Sequence, residues 1–125
     1  MPSPSATKDR YPYQNEPIWS RSEKAIAHRV FDAALKRELH EIMQEAKEKA
    51  NQSKEPADVW ELERHLIQRR KDVDRKYNFR SSRLTRVFGR LLCECRITGE
   101  ELRGLREDKV KPIRSCAKVL FEDAA

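Results

Sequence analysis

Between residues 20 and 51, apolar side chains recur every three or four positions: Ile26, Val30, Phe31, Ala34, Leu35, Leu39, Ile42, Ala46 and Ala50. That spacing keeps them on one stripe of an α-helix. Ser20 and Ser22 are both competent N-caps, and Glu23 falls in the first turn, where the helix dipole favours a carboxylate. The stripe predicts a helix roughly 40 Å long. It breaks at NQSKEP, residues 51–56, where Pro56 suits the first turn of a second helix with Ser53 or Lys54 just outside it. The second stripe is Val59, Leu62, Leu66 and Val73, running to about Lys76 with Tyr77 beyond. One feature of DVWELERHLIQRRKDVDRKY, residues 58–77, resists a plain core reading: Arg69 and Arg70 stand where the stripe asks for apolar residues.

NFRSS, residues 78–82, reads as a turn or a bend. Leu84, Val87, Phe88, Leu91, Leu92 and Cys95 form the next stripe, with Arg83, Arg86 and Arg90 on the opposite side. Thr98 and Glu101 have the spacing of a capping box ahead of Leu102 and Leu105, and Gly104 permits a turn. A last helix is expected from about Arg106, with Glu107 and Asp108 in its first turn and Pro112 kinking or delaying it. Four of the six prolines precede residue 18, so residues 1–18 read as a disordered tail. The body is then 19–82, a small helical head 83–121, and a C-terminal tail 122–125. The fold class is all-α, a long helical hairpin plus a head. A compact chain of this size has a radius of gyration of about 13 Å, which a helix of roughly 40 Å overreaches. Two hairpins paired into a four-helix arrangement would cover the apolar surface left over, so a two-fold homodimer is expected.

Charge narrows the picture. Apolar and charged residues each make up 38% of the 125 residues, and the net charge is +6. Residues 64–90 hold ten Arg or Lys against two Asp, so the basic character is local. Such a face suits a protein partner or, less well, nucleic acid, since no turn sets a short recognition helix. Three cysteines make no disulfide framework. No run approaches the ~20 apolar residues of a membrane span, and the N-terminus lacks the apolar core of a secretory signal. A soluble, cytoplasmic protein without membrane insertion is expected. His28, His40 and His65 are the only histidines. His28 and His40 are more than three helical turns apart, while Glu61 and His65 are placed to touch as a surface pair. No glycine-rich phosphate loop and no activated nucleophile stand out, so neither enzyme activity, metal nor cofactor is expected. Trp60 with nearby arginines is the composition of an interface anchor.

A family resemblance follows from an ordered set of residues: Trp19, Ser20, His28, Phe31, Arg37, Glu38 and Leu39; then Trp60, Leu62, Leu66, Arg70, Asp74, Lys76, Tyr77 and Arg80; then Val87, Phe88, Arg90, Leu91 and Leu92; then Glu100, Glu101, Leu102, Gly104, Leu105, Glu107, Asp108, Lys109, Ile113 and Arg114. Over roughly residues 19–115 the chain resembles the fluorescence recovery proteins of cyanobacteria. The resemblance implies an all-helical dimer with a helical head. It implies a non-enzymatic regulator that binds the photoactivated orange carotenoid protein and speeds its return to the resting form, ending quenching at the phycobilisome.

Carried over by position, the partner and dimer surface is Trp60, Glu63, Arg64 and Arg70, with a second partner surface in the head at Arg86 and Lys109. Three positions depart from the family pattern. Glu63 and Arg64 replace a histidine and an aspartate, and Arg86 replaces a phenylalanine. Glu63 and Arg70, seven apart, share a helix face. Two alternatives stay open: the same dimeric scaffold with a different, acidic protein partner, or a basic helical protein that binds nucleic acid.

Overall fold

The computed structural model describes residues 18–124, so the tail expected over residues 1–18 lies outside the described residues apart from Ile18. Four α-helices follow in order: α1, Arg21–Gln52; α2, Asp58–Lys76; α3, Leu84–Cys93; and α4, Glu107–Ala124. A short 3-10 turn at Glu100–Leu102 lies between α3 and α4. No strand occurs among the described residues.

Helix α1 begins where local chemistry stops the chain from continuing upstream. The Ser20 hydroxyl accepts the Glu23 N–H at 3.2 Å, and the Glu23 carboxylate accepts the Ser20 N–H at 3.1 Å. This reciprocal box satisfies two of the free donors at the helix start. The helix runs 32 residues, or about 48 Å. Its two halves have different partners. The first half buries Ala27, Val30, Phe31 and Ala34 in the head core. The second half pairs antiparallel with α2, since Glu45 meets His65 and Glu38 meets Lys76. At the hairpin tip the Asp58 carboxylate reaches back to the N–H groups of Lys54 and Glu55, which holds its pKa down.

The core lies in the head. Leu84, Phe88 and Leu91 of α3 and Ile113 of α4 are fully buried, with Ile97 and Leu102 from the connection between them. The 78–82 segment is pinned onto α1 by aromatic contacts. Phe79 stacks on His28 at 3.8 Å between centroids, and Phe31 meets Tyr77 and Phe79 edge-on at 5.3 and 5.2 Å. The Thr98–Glu101 box forms as expected, with the Thr98 N–H donating to Glu101 at 3.0 Å.

Three expectations are corrected. Cys95 is not part of the α3 stripe: it is exposed with φ 61°, in the left-handed region. The Arg96 N–H donates to the Leu91 carbonyl and the Cys95 N–H to the Leu92 carbonyl, so the helix ends in a Schellman motif, a place where glycine is usual. Pro112 does not delay α4, which is continuous through it. The proline is on an exposed stretch, where the carbonyl one turn back, that of Asp108, can turn to water. Finally, α4 carries on to Ala124, so residues 122–124 of the expected tail are helical.

Two reciprocal glycine changes test this packing. A Cβ at Gly89 would lie 2.6 Å from the Cys116 Cβ and 3.3 Å from the Ile113 carbonyl oxygen. Gly89→Ala should therefore lower unfolding free energy by about 1–3 kcal/mol. Cys95→Gly should raise it, by up to ~1 kcal/mol, by relieving the left-handed position. Urea denaturation followed by helical circular dichroism reads both. A neutral Gly89→Ala would mean that α3 and α4 do not approach this closely.

Candidate protein-interaction site

Helix α2 is unusual because none of its residues is buried, although it carries Val59, Trp60, Leu62, Leu66 and Ile67. Trp60 is 59% exposed, and Val59, Leu66 and Ile67 are exposed with it. A shallow groove of about 370 Å³ runs along this side, lined by Val59, Leu62, Glu63, Leu66, Ile67 and Arg70. On α1, Leu39 and Met43 are likewise exposed. An exposed apolar groove of this kind is a candidate interaction face.

Ionic contacts, rather than apolar burial, fasten α2 to the rest. Glu38 of α1 is 0% exposed. Its carboxylate accepts from Lys76 at 2.8 Å, from the Tyr77 hydroxyl at 2.9 Å and from Arg69 at 3.2 Å, and it pairs with Arg96 at 3.2 Å. The network spreads from there. Arg69 also donates to Glu45 at 3.1 Å, and Glu45 bonds His65 at 2.8 Å. Lys76 and Arg96 both reach Glu94, at 2.8 and 2.7 Å, and Arg96 also pairs with Glu41.

Burial pushes the Glu38 carboxyl up, but its hydrogen bonds to Lys76 and Tyr77 and the charges of Lys76 and Arg96 outweigh it and hold the pKa below the usual range. The same contest leaves Glu94 lowered to about 2, despite its own burial, through Lys76, Arg96 and Arg90. Burial and the adjoining Glu38 push the Tyr77 phenol far up, so it stays a neutral donor. The anomalous Arg69 is thereby explained: it fills an ionic seam inside the hairpin, while Arg70 points away, 85% exposed, with only a 3.9 Å approach to Asp74.

The residues expected to form the partner surface divide. Trp60, Glu63, Arg64 and Arg70 are all exposed on α2, and Glu63 and Arg70 flank the same groove. Arg64 makes a 3.4 Å pair with Glu61, a solvent-exposed contact of little energetic weight. His65 therefore bonds Glu45 and not Glu61 as its spacing suggested. In the head, Arg86 is exposed, in a cleft where α2 meets α3. Lys109, expected beside it on a second partner surface, is 1% exposed. Its ammonium bonds Asp108 at 2.8 Å and pairs with Glu23 at 3.2 Å, so it is committed inside the head.

Glu23 in turn accepts the Arg106 N–H at 3.0 Å, which ties the start of α1 to the start of α4. Burial raises the Glu23 carboxyl, but the Arg106 and Ser20 N–H groups and Lys109 bring it down to about 2. Sequence reasoning missed the Glu38 hub. A signal was present: Glu38 and Glu45 on one helix, and Arg69 and Lys76 on the other, are each seven apart, as a charged seam between two helices requires.

This hairpin-and-head geometry can be set beside known proteins. The family model described as photoprotection regulator fluorescence recovery protein matches residues 19–117. The chain belongs to this family. A fluorescence recovery protein of Synechocystis sp. is 35% identical over 104 residues, covering 83% of this chain and 95% of that protein. Among solved structures, the fluorescence recovery protein of Fremyella diplosiphon superposes with a TM-score of 0.76 at 33% identity, covering 81% of this chain and 99% of that one. The Synechocystis structure gives the same TM-score at 35% identity and the same coverage. The chain is thus a fluorescence recovery protein family member, a photoprotection regulator with the all-α hairpin-and-head fold. Among its described residues no helix is long and apolar enough to cross a membrane, and no group of three or more His, Cys, Asp or Glu is arranged to hold a metal.

The carboxylates make the family fold of this chain acid-sensitive. Glu23 and Glu94 titrate at about 2 when folded against 4.5 as the ordinary value. Their stabilisation is fully present above 4.5 and is lost as pH falls from there through about 2. Melting temperature measured against pH should decline across that window. A melting temperature held constant down to about pH 3 would mean that these carboxylates add no net stability.

Proposed function

We propose that this chain is a non-enzymatic regulator of the fluorescence recovery type. It acts in the cytoplasm, binds the photoactivated orange carotenoid protein and speeds that protein's return to its resting form, ending phycobilisome quenching. The observation that carries the reading is the uncovered face of α2. A helix with six apolar residues and none buried needs a partner, and the family is one of photoprotection regulators. A regulator of this kind works by binding the route to the resting conformation more tightly than the activated state. Trp60 is the anchor, with Glu63 and Arg70 beside the groove. Two copies of the chain would pair through the α2 faces and the exposed Leu39 and Met43.

A second reading rests on Glu63, Arg64 and Arg86, which depart from the pattern of the family this chain resembles. It keeps the dimeric scaffold and replaces the partner with a different protein, an acidic one.

Dark recovery of photoactivated orange carotenoid protein, followed by its absorbance with and without this chain, separates the two. Clear acceleration, lost on Trp60→Ala, is expected. No acceleration by a folded dimer would overturn the first reading and leave the second. Sedimentation equilibrium tests the pairing: two chains per particle are expected, and Leu66→Glu should yield monomers of unchanged helix content. A wild-type monomer at every concentration would overturn the dimer.

A further inference from the structure

A second concavity, of about 560 Å³, opens where α2 meets α3. Seven cationic side chains and only two carboxylates line it. Arg69, Lys76 and Arg96 are already committed to Glu38. Arg75 and Arg90 share the two carboxylates of the cleft, Asp72 at 3.4 Å and Glu94 at 3.1 Å. Arg83 and Arg86 are left over: among the described residues neither has a carboxylate within 4.0 Å, unlike their neighbours. Both stand at the start of α3, where the helix has no side-chain cap and no acidic residue in its first turn. Cations at the positive end of a helix dipole repel it, so the arrangement costs stability unless an anion is present.

The chemistry of the lining narrows the anion. Val87 is the single apolar residue of the cleft, and no aromatic ring lines it, so nothing is offered to a nucleobase or sugar face. Guanidinium forks from two helices suit phosphate oxygens, which they bind bidentately. The volume is that of a small-molecule site. We infer that this cleft binds an oligophosphate, a compact chain of phosphate groups held by Arg75, Arg83, Arg86 and Arg90, which fastens the head to the hairpin. The inference does not depend on the carotenoid-protein reading.

Calorimetric titration of the full chain with sodium triphosphate, at physiological ionic strength, tests it. One triphosphate per chain is expected, with a melting temperature that rises with ligand concentration. Arg83→Gln/Arg86→Gln should weaken binding by about tenfold or more, and the single Arg86→Gln by a smaller factor. Lys47→Gln/Lys49→Gln, the same loss of charge on exposed α1 positions, should change it by less than about twofold. Equal weakening by the two double variants would reduce the effect to diffuse charge and overturn the site. So would the absence of saturable binding. An aspartate-rich peptide that binds more tightly than triphosphate would overturn the ligand class in favour of an acidic protein segment.

Discussion

Everything outside the head depends on one buried carboxylate. Glu38 lies fully enclosed on α1 and is met by Arg69 and Lys76 from α2, Tyr77 from the segment after it, and Arg96 from the connection beyond α3. A lone carboxylate in that position would be strongly destabilising; with three hydrogen-bond donors and the Arg96 charge beside it, it is satisfied. Such a centre adds less net stability than an apolar one of equal volume would, because each ion loses its hydration. It fixes position instead. Helix α2 can lie at only one register against α1 if Arg69 and Lys76 are both to reach Glu38.

That choice of fastening has a functional consequence. Because ions attach α2, Val59, Trp60, Leu66 and Ile67 are not spent on the hairpin and remain outside. The head is built the opposite way. Its core is apolar, from Trp19 and Val30 through Phe88 and Ile113, and its one deep ionic cluster, Glu23 with Lys109, ties two helix starts together. The molecule thus combines an apolar-cored head with a hairpin whose outer face carries exposed apolar residues.

What could be read from the sequence was mostly what is local. The start of α1 at Ser20 and the Thr98–Glu101 box are decided by residues three or four apart, and they appear as read; the break expected over 51–56 falls at 53–57, with Pro56 ahead of α2 and not in its first turn. Trp60, Glu63, Arg64 and Arg70 fall on an exposed face because a period of 3.6 places them there. Long-range pairing was not legible in the same way. The bond from Arg69 to Glu38 spans 31 residues, and only the matching sevenfold spacing on both helices hinted at it. Lys109 was placed on a partner surface by the resemblance alone; its burial depends on Glu23, 86 positions earlier, meeting it across the head. Cys95 continued the periodic stripe on paper, yet the Schellman turn that ends α3 takes it out of the helix.

The central claim is that Glu38 holds the hairpin through specific ion pairs. A double-mutant cycle of Glu38→Gln and Arg69→Gln, read by urea unfolding of the full chain, tests it most directly. The account predicts that the two changes are far from additive, with a coupling of about 1–3 kcal/mol. Additivity to within about 0.5 kcal/mol would contradict it, and would mean that something other than this carboxylate sets α2 against α1.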